Sequence, residues 1–366
     1  MEVNMLDVGD PNTGGLMLFA EGGFAQTGWI QSMCMNNTAE ELFVMKQHPD
    51  FQPECPSAAL QEQNIPASSI NTTLFHWQLQ REWCKVEHLS PEVLCMQDAD
   101  GDTFLHIVVA QGKRALAYVL AAKMAVLGFL DIKEFNNQTA LHLAAASDQH
   151  LIVYDLLTLG SLMNVYDVWG RTPLHVCAEK GHLPSLQSIH QFLTESGQPV
   201  DVEIFSYDGR TALQAATISH NAVVKELRTS CRNKCIELEQ KKQVYTQCIQ
   251  TLLIMGASCG TKDQKSGRTC VHIAAEEANL ELLNIFLQQS MSLSFVNSLA
   301  HDGNTALHIV CALQKPKGQV AAVKLLIKRG ADPGIRNLDK ELPVQLVSAD
   351  SVGDKVRQIL KRKMLV

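Results

Sequence analysis

Five histidines recur at the same place in a short repeated motif, and they are the side chains of this chain best suited to chemistry. They are His106, His142, His175, His272 and His308. Imidazole is a frequent general base and metal ligand, so such a row suggests a catalytic or metal site. The rings are spaced one motif apart along the chain, which predicts a row and not a cluster. We therefore interpret them as structural groups that hydrogen-bond backbone atoms between adjacent loops.

Two cysteines, Cys231 and Cys235, have the i, i+4 spacing that places two thiolates on one face of a helix. A structural zinc site needs four ligands, and no second pair of ligands accompanies these two. The sequence also lacks a Ser/His/Asp order, a phosphate-binding glycine loop, a paired-carboxylate motif and HExxH. We predict no enzymatic activity, no metal, no cofactor and no small-molecule substrate. The scattered, odd-numbered set of 11 cysteines favours a reduced, intracellular protein.

The histidines belong to the pattern Gly-x-Thr-x-Leu-His, which recurs six times with few substitutions. The threonines of the six copies are Thr103, Thr139, Thr172, Thr211, Thr269 and Thr305. Most of these intervals lie near the ankyrin period of roughly 33 residues. A degenerate seventh copy occupies residues 340–345. The sequence thus predicts an all-α ankyrin-repeat solenoid of about seven helix-turn-helix repeats with β-hairpin fingers.

Each residue type of the motif has a local role. Glycine allows the positive φ of a tight turn, and the threonine hydroxyl can cap the first amides of the inner helix. The leucine is expected to be buried between helices. No single repeat can bury both of its faces, so stability must come from stacking on the neighbouring repeats.

Charge and proline content divide the chain into segments. Of the 38 acidic and 31 basic residues, residues 1–90 hold 11 acidic and 3 basic ones, so the remainder is nearly neutral. We predict an acidic, largely disordered leader at 1–70, a helical lead-in at 71–94, ankyrin repeats at 95–347 and a basic C-terminal capping helix at 348–366. An insertion at about 225–247 is either a solvent-exposed segment without a function or an added segment that binds a partner. No apolar run of 18 residues is present, which argues against a transmembrane helix.

Several segments resemble the nuclear, or atypical, IκB family. The resemblance goes beyond the residues that the generic ankyrin consensus specifies. The segments are 98–106 (DADGDTFLH), 111–120, 131–134, 169–182 (WGRTPLHVCAEKGH), 275–283, 329–333, 336–338 and, before the first repeat, 75–78 (FHWQ). The resemblance covers roughly residues 70–363. It implies binding to NF-κB Rel dimers, preferentially homodimers of the processed subunits, and nuclear regulation of the transcription of inflammatory genes. Contact with κB-site DNA is implied only through the Rel dimer.

Two other functions stay open on the sequence alone. One is a cytoplasmic inhibitory IκB that retains Rel dimers. The other is a general ankyrin scaffold or ubiquitin-ligase substrate adaptor, which should carry an appended box or zinc domain, and none is visible. A nuclear location is implied by the resemblance, although residues 1–80 hold one basic residue, Lys46, and no basic import run.

The residue before the motif threonine is arginine in three successive repeats: Arg171, Arg210 and Arg268. In a stacked array these side chains should form a basic column near the fingers. Trp169 and Tyr207 occupy finger positions that are usually polar. Because arginine and aromatic residues are enriched at interface hot spots, we predict that these five residues contact a partner. The alternative is a position that tolerates any solvated residue.

The end of the chain is basic. Residues 355–366 contain five bases and no acid, whereas prototype inhibitory IκB proteins carry an acidic tail that competes with DNA phosphates. We predict that Lys361, Arg362 and Lys363 form a DNA-proximal end, so that the protein can sit on a Rel dimer without expelling DNA. A simple basic cap suited to a helix C-terminus is the alternative.

Overall fold

A computed structural model describes residues 74–197, 200–230, 234–289, 292–314 and 318–364. The leader at 1–70 and Cys231 of the cysteine pair lie outside these residues. The secondary-structure elements of the described residues are all helices, and one isolated antiparallel bridge joins Gln97 and Thr103. Within the described part of the chain, the fingers are therefore hairpin turns and not extended β-strands.

The helices follow one another in antiparallel pairs. The lead-in contains α1 (Leu74–Val86) and α2 (Pro91–Leu94). The next four pairs are α3 (Phe104–Ala110) and α4 (Arg114–Val126), α5 (Ala140–Ala146) and α6 (His150–Thr158), α7 (Pro173–Lys180) and α8 (Leu183–Ser196), and α9 (Ala212–Thr229) and α10 (Cys235–Ile254). The remaining elements are α11 (Cys270–Glu276), α12 (Leu280–Leu287), α13 (Ser292–Phe295), α14 (Ala306–Ala312), α15 (Gln319–Lys328), a 3₁₀ turn (Pro343–Gln345) and α16 (Ser351–Met364).

The motif threonine and histidine together begin the inner helix of each repeat. In the third repeat, the Thr172 backbone N–H donates to His175 Nδ1 at 3.3 Å, and the Thr172 hydroxyl lies 2.8 Å from the same nitrogen. The same cap begins α3, α5, α11 and α14. At the start of α9, Gln214 replaces histidine, and its Oε1 accepts the Thr211 N–H at 2.9 Å. These caps satisfy amides that the first helical turn leaves without a partner.

The other imidazole nitrogen bonds the next repeat. His Nε2 donates to the carbonyl of the residue before the next motif threonine, from His106 to Gln138, His142 to Arg171, His175 to Arg210 and His272 to Asn304, at 3.1–3.3 Å. His308 donates in the same way to Glu341, at 3.2 Å, where Leu342 takes the place of the threonine in the degenerate seventh copy. Gln214 Nε2 does the same to Arg268, at 3.2 Å. A carbonyl can only accept, so Nε2 carries the proton and Nδ1 is the acceptor. The structural interpretation of the histidine row is confirmed.

These imidazoles lie in the core between stacked repeats. All five are buried, as are the leucine of the motif and small residues of the inner helices such as Ala144, Cys177 and Ala274. Burial penalises the charged form and lowers the pKa of His142 and His272 to about 4. Burial also raises the pKa of the Cys248 and Cys311 thiols to about 12, so these free cysteines are packing residues and not nucleophiles.

The extra residues of the fourth repeat lengthen both of its helices, to 18 residues in α9 and 20 in α10. Val223, Leu238 and Tyr245 form a small separate core between them. The Tyr245 hydroxyl donates to the Glu179 carbonyl of the preceding repeat at 2.9 Å. Arg228 forms an ion pair with Glu277 of the following repeat at 2.6 Å. The long helices therefore contact the repeats on both sides.

The buried neutral histidines predict loss of stability in acid. Their folded-state pKa lies below the unfolded value of about 6.5, so the folded protein binds fewer protons. Their contribution is fully present above pH 6.5 and is lost as the pH falls toward 4, because a protonated Nδ1 cannot accept the threonine N–H. We expect the protonation of His142 alone to lower the free energy of unfolding by about 2 kcal/mol between pH 7.5 and pH 4.5.

Urea denaturation at several pH values measures this loss, and His142→Gln is the matched variant. Gln214 shows that a glutamine can make both bonds without titrating. The variant should therefore fold at neutral pH and depend less steeply on pH than the parent. An unchanged pH dependence would contradict the assigned role of His142.

Candidate partner-binding surface

Backbone hydrogen bonds hold the fingers in register along the array. A finger N–H donates to a carbonyl of the preceding finger in the pairs Phe135–Asp100, Val168–Asn136, Tyr207–Trp169, Gln264–Gly209, His301–Ser266 and Leu338–Asp302, at 2.8–3.4 Å. This ladder fixes the spacing of the finger tips. Side chains at equivalent positions of successive fingers are thereby brought side by side.

Five exposed apolar side chains lie on the second to fourth fingers or just before one of them. We call Phe135, Tyr166, Val168, Trp169 and Tyr207 the finger patch. Trp169 is 53% exposed and Tyr207 is 68% exposed. The rings of Tyr166 and Tyr207 stack with centroids 6.1 Å apart. Large exposed apolar surfaces are typical of interaction sites, so the finger patch is a candidate partner-binding surface.

The structure brings the two sequence-predicted aromatics, Trp169 and Tyr207, onto adjacent fingers. Sequence reasoning missed the other members of the finger patch. Phe135 and Val168 stand four residues before their motif threonine, as Tyr207 does. Comparison of the residue four places before the motif threonine in each repeat would have found both Phe135 and Val168. Tyr166 precedes its finger and gives no equivalent signal.

Arg171 is held against the array by three groups. Its guanidinium lies 4.6 Å from the centre of the Trp169 ring. It also pairs with Asp167 and with Glu179, both at 3.0 Å, and the side chain is 21% exposed. Arg171 therefore orients the indole of Trp169 through a cation–π contact, while its own charge is balanced within the repeat.

Arg268 is held in a similar way two repeats further on. Its guanidinium forms an ion pair with Glu276 on α11, and a second carboxylate, that of Asp302, lies 4.0 Å away. Burial raises the pKa of Glu276, and the charge of Arg268 opposes that rise. Arg268 is thus engaged by carboxylates of its own and the next repeat.

Arg210 differs from the other two arginines of the column. It is exposed, and among the described residues no carboxylate lies within ion-pairing distance of its guanidinium. Its backbone carbonyl accepts bonds from His175 Nε2 at 3.1 Å and from the Ser206 N–H at 2.9 Å. Of the three arginines of the predicted column, Arg210 is therefore the one that forms no ion pair within the described part of the chain.

The basic end of the chain lies on the last helix. Val356 and Leu360 of α16 are buried, and α16 packs on α15 and on the 3₁₀ turn. Lys361, Arg362 and Lys363 follow in the last turn and are exposed. Cations in this place also suit the negative end of the helix dipole.

No group of three or more His, Cys, Asp or Glu side chains in the part of the chain that the structure describes could hold a metal ion. None of the described helices has the length and apolar character needed to cross a membrane.

Comparison with protein families identifies the repeats. The family described as "Ankyrin repeats (3 copies)" matches residues 141–239 and 240–337, more than half of the chain. This match confirms the predicted repeat class.

Two curated relatives are similar over most of the chain. It is 49% identical to the NF-kappa-B inhibitor zeta of Mus musculus over 315 residues, which are 84% of this chain and 43% of that protein. It is 40% identical to the NF-kappa-B inhibitor delta of Mus musculus over 276 residues, which are 75% of this chain and 82% of that protein. The chain thus spans less than half the length of the zeta relative.

A solved structure matches the array as well. The ankyrin repeat domain of Bcl-3, described as a unique member of the IkappaB protein family, aligns with a TM-score of 0.56 at 30% identity. The alignment covers 70% of this chain and 99% of that domain. The match confirms the all-α ankyrin-repeat fold.

The close approach of two fingers in the finger patch predicts a strict need for glycine at position 170. Gly170 has φ +72°, and an added Cβ would overlap the Tyr207 ring and backbone. Gly128 has nearly the same φ, +76°, with open space around it. Both alanine variants carry the strain of a positive φ, and overlap should cost Gly170→Ala about 1–3 kcal/mol more.

The free energy of unfolding in urea measures the difference between Gly170→Ala and Gly128→Ala. Equal losses in the two variants would show that Tyr207 does not lie over Gly170 in solution.

Proposed function

Because this chain belongs to the IκB family of ankyrin-repeat proteins, and to its atypical, nuclear branch, we propose that it binds NF-κB Rel dimers and modulates the transcription of immune and inflammatory genes. Its relatives are non-enzymatic regulators. The proposed action is accordingly one of binding, without catalysis and without a cofactor. The proposed place of action is the nucleus.

The observation that carries this proposal is the identity to two NF-kappa-B inhibitors across the repeats themselves. The shared residues span the segment that forms the stacked helices and fingers, and repeat arrays bind partners on the surfaces that such stacking creates. The similarity therefore lies in the part of the molecule that can hold a protein partner.

The finger patch is the proposed contact surface. Its aromatic side chains are large and exposed, and the fingers that carry Trp169 and Tyr207 are joined by the hydrogen bond from the Tyr207 N–H to the Trp169 carbonyl, at 3.2 Å. Aromatic side chains lose little conformational entropy on binding and supply much of the energy at protein interfaces. Burial of Trp169 and Tyr207 against a Rel dimer would remove an apolar surface that is now in water.

The exposed bases Lys361, Arg362 and Lys363 favour a complex in which κB-site DNA stays bound. Their charge attracts phosphates and would not compete with them. We propose that DNA is contacted chiefly by the Rel dimer, with homodimers of the processed subunits preferred. A cytoplasmic inhibitor that strips Rel dimers from DNA is the second candidate, and a scaffold or substrate adaptor that binds no Rel protein is the third.

A gel shift on κB-site DNA separates the three candidates. With a Rel homodimer bound to DNA, added protein should give a slower-migrating ternary complex. Loss of the Rel–DNA band with rising protein would support the cytoplasmic inhibitor. An unchanged band, with no binding in a pull-down of the Rel homodimer, would reject the proposal in favour of a scaffold.

Replacing Lys361, Arg362 and Lys363 together by glutamine is the matched variant. It should still bind the free Rel dimer and form the ternary complex less tightly, with the largest difference at low salt. Equal ternary affinity for both proteins would assign the three bases to capping of α16 alone.

A further inference from the structure

The three arginines that precede a motif threonine, Arg171, Arg210 and Arg268, differ in the carboxylates with which they form ion pairs. Arg171 is paired with Glu179 and Arg268 with Glu276, in each case eight residues further along the same repeat. In the fourth repeat that position is Ile218, a half-buried apolar residue. The repeat that carries Arg210 therefore lacks the carboxylate that its neighbours supply.

Two carboxylates whose pKa Arg210 lowers, those of Asp208 and Glu276, are engaged by other cations. Asp208 forms an ion pair with Lys265 at 2.7 Å, and this hydrogen bond is the main cause that lowers its pKa, with a smaller contribution from Arg210. Glu276, whose carboxyl Arg210 also influences, is bound by Arg268. Arg210 is left with a guanidinium in solvent that has no partner of its own among the described residues.

The backbone around Arg210 is fixed before any partner arrives. His175 holds its carbonyl, and Thr211, the next residue, begins α9 through its bond to Gln214. Binding would then order a single side chain and no loop, which keeps the entropic cost low.

The surroundings of Arg210 select the class of ligand. Acidic residues alternate with the basic ones along this row of fingers: Asp167, Glu179, Asp208, Glu276 and Asp302 accompany Arg171, Arg210, Lys265 and Arg268. Such a mixed surface repels a continuous polyanion such as a nucleic-acid backbone. It leaves room for one carboxylate, which a guanidinium can bind through two parallel hydrogen bonds.

We infer that Arg210 is the specificity-determining cation of the array and binds an aspartate or glutamate side chain of the protein partner. That carboxylate lies beside the partner's apolar residues, which cover Tyr207 and Trp169. Arg171 and Arg268 are positioning residues, since their guanidinium groups are occupied within the array. The inference deepens the proposed function, because it names the chemistry of the partner surface that the fingers meet.

The decisive variant leaves Arg210 untouched. Ile218→Glu supplies the missing carboxylate and should recreate the pair seen at Arg171 and Glu179. We expect it to lower the affinity for a Rel homodimer roughly tenfold, as Arg210→Gln should. Ile218→Gln, the uncharged match, should bind within about twofold of the parent. Arg210→Lys keeps the positive charge but loses the planar guanidinium, so its affinity for the Rel homodimer should lie between those of the parent and Arg210→Gln.

Affinities are measured by isothermal titration calorimetry with the full chain, beside thermal melting of every variant. Parental affinity in both Ile218→Glu and Arg210→Gln, in folded proteins, would overturn the inference. If the parent binds no Rel homodimer, the proposed function fails and a second measurement decides the role of Arg210.

That measurement follows the arginine Nε–H resonances by NMR while phenylacetate, a carboxylate attached to an aromatic ring, is added. Arg210 should shift, whereas Arg171 and Arg268 should stay in place, and Ile218→Glu should abolish the shift. Inorganic phosphate is the competing probe. Equal shifts at all three arginines, or a larger response to phosphate than to phenylacetate, would overturn the assignment of a carboxylate ligand.

Discussion

The hydrogen bond from each motif imidazole to the next repeat governs both the stacking of the array and the presentation of its candidate surface. The Nε2–H of His142 donates to the carbonyl of Arg171, that of His175 to Arg210, and the amide of Gln214 to Arg268. The accepting residues are the three arginines of the finger column. One buried side chain therefore caps an inner helix through one of its polar atoms and, through the other, joins two repeats and fixes the backbone of a column arginine. Its loss would release all three constraints together.

The backbone hydrogen bonds between repeats do not involve the finger side chains, so those side chains can differ from one repeat to the next. Trp169 and Tyr207 replace the polar residues usual at finger tips without disturbing the caps or the core. The pairs of Arg171 with Glu179 and Arg268 with Glu276 are half-exposed, and such pairs contribute about 0–1 kcal/mol to stability. They are better understood as contacts that hold a side chain in place, while burial of leucine, valine and alanine between repeats supplies the stability.

Sequence reasoning found the repeats because stacking demands the same few residue types at the same positions. It also identified the structural role of the histidines, since a row spaced by one repeat cannot converge on a ligand. It did not find that Arg171 and Arg268 are paired, because pairing depends on where the last turn of the inner helix places Glu179 and Glu276. The lengthened α9 and α10 were visible only as an insertion, and their packing through Tyr245 on the preceding repeat has no sequence signal.

The central claim is that the fingers of the third and fourth repeats meet the Rel dimer, and hydrogen–deuterium exchange of the full chain with and without a Rel homodimer tests it most directly. The backbone around Trp169 and Tyr207 is already bonded from finger to finger, so further protection there requires a partner. We expect added protection in peptides covering 165–172 and 205–211, and little change in the outer helices α6 and α8. Protection confined to α6 and α8, with the finger peptides unchanged in a saturated complex, would contradict it.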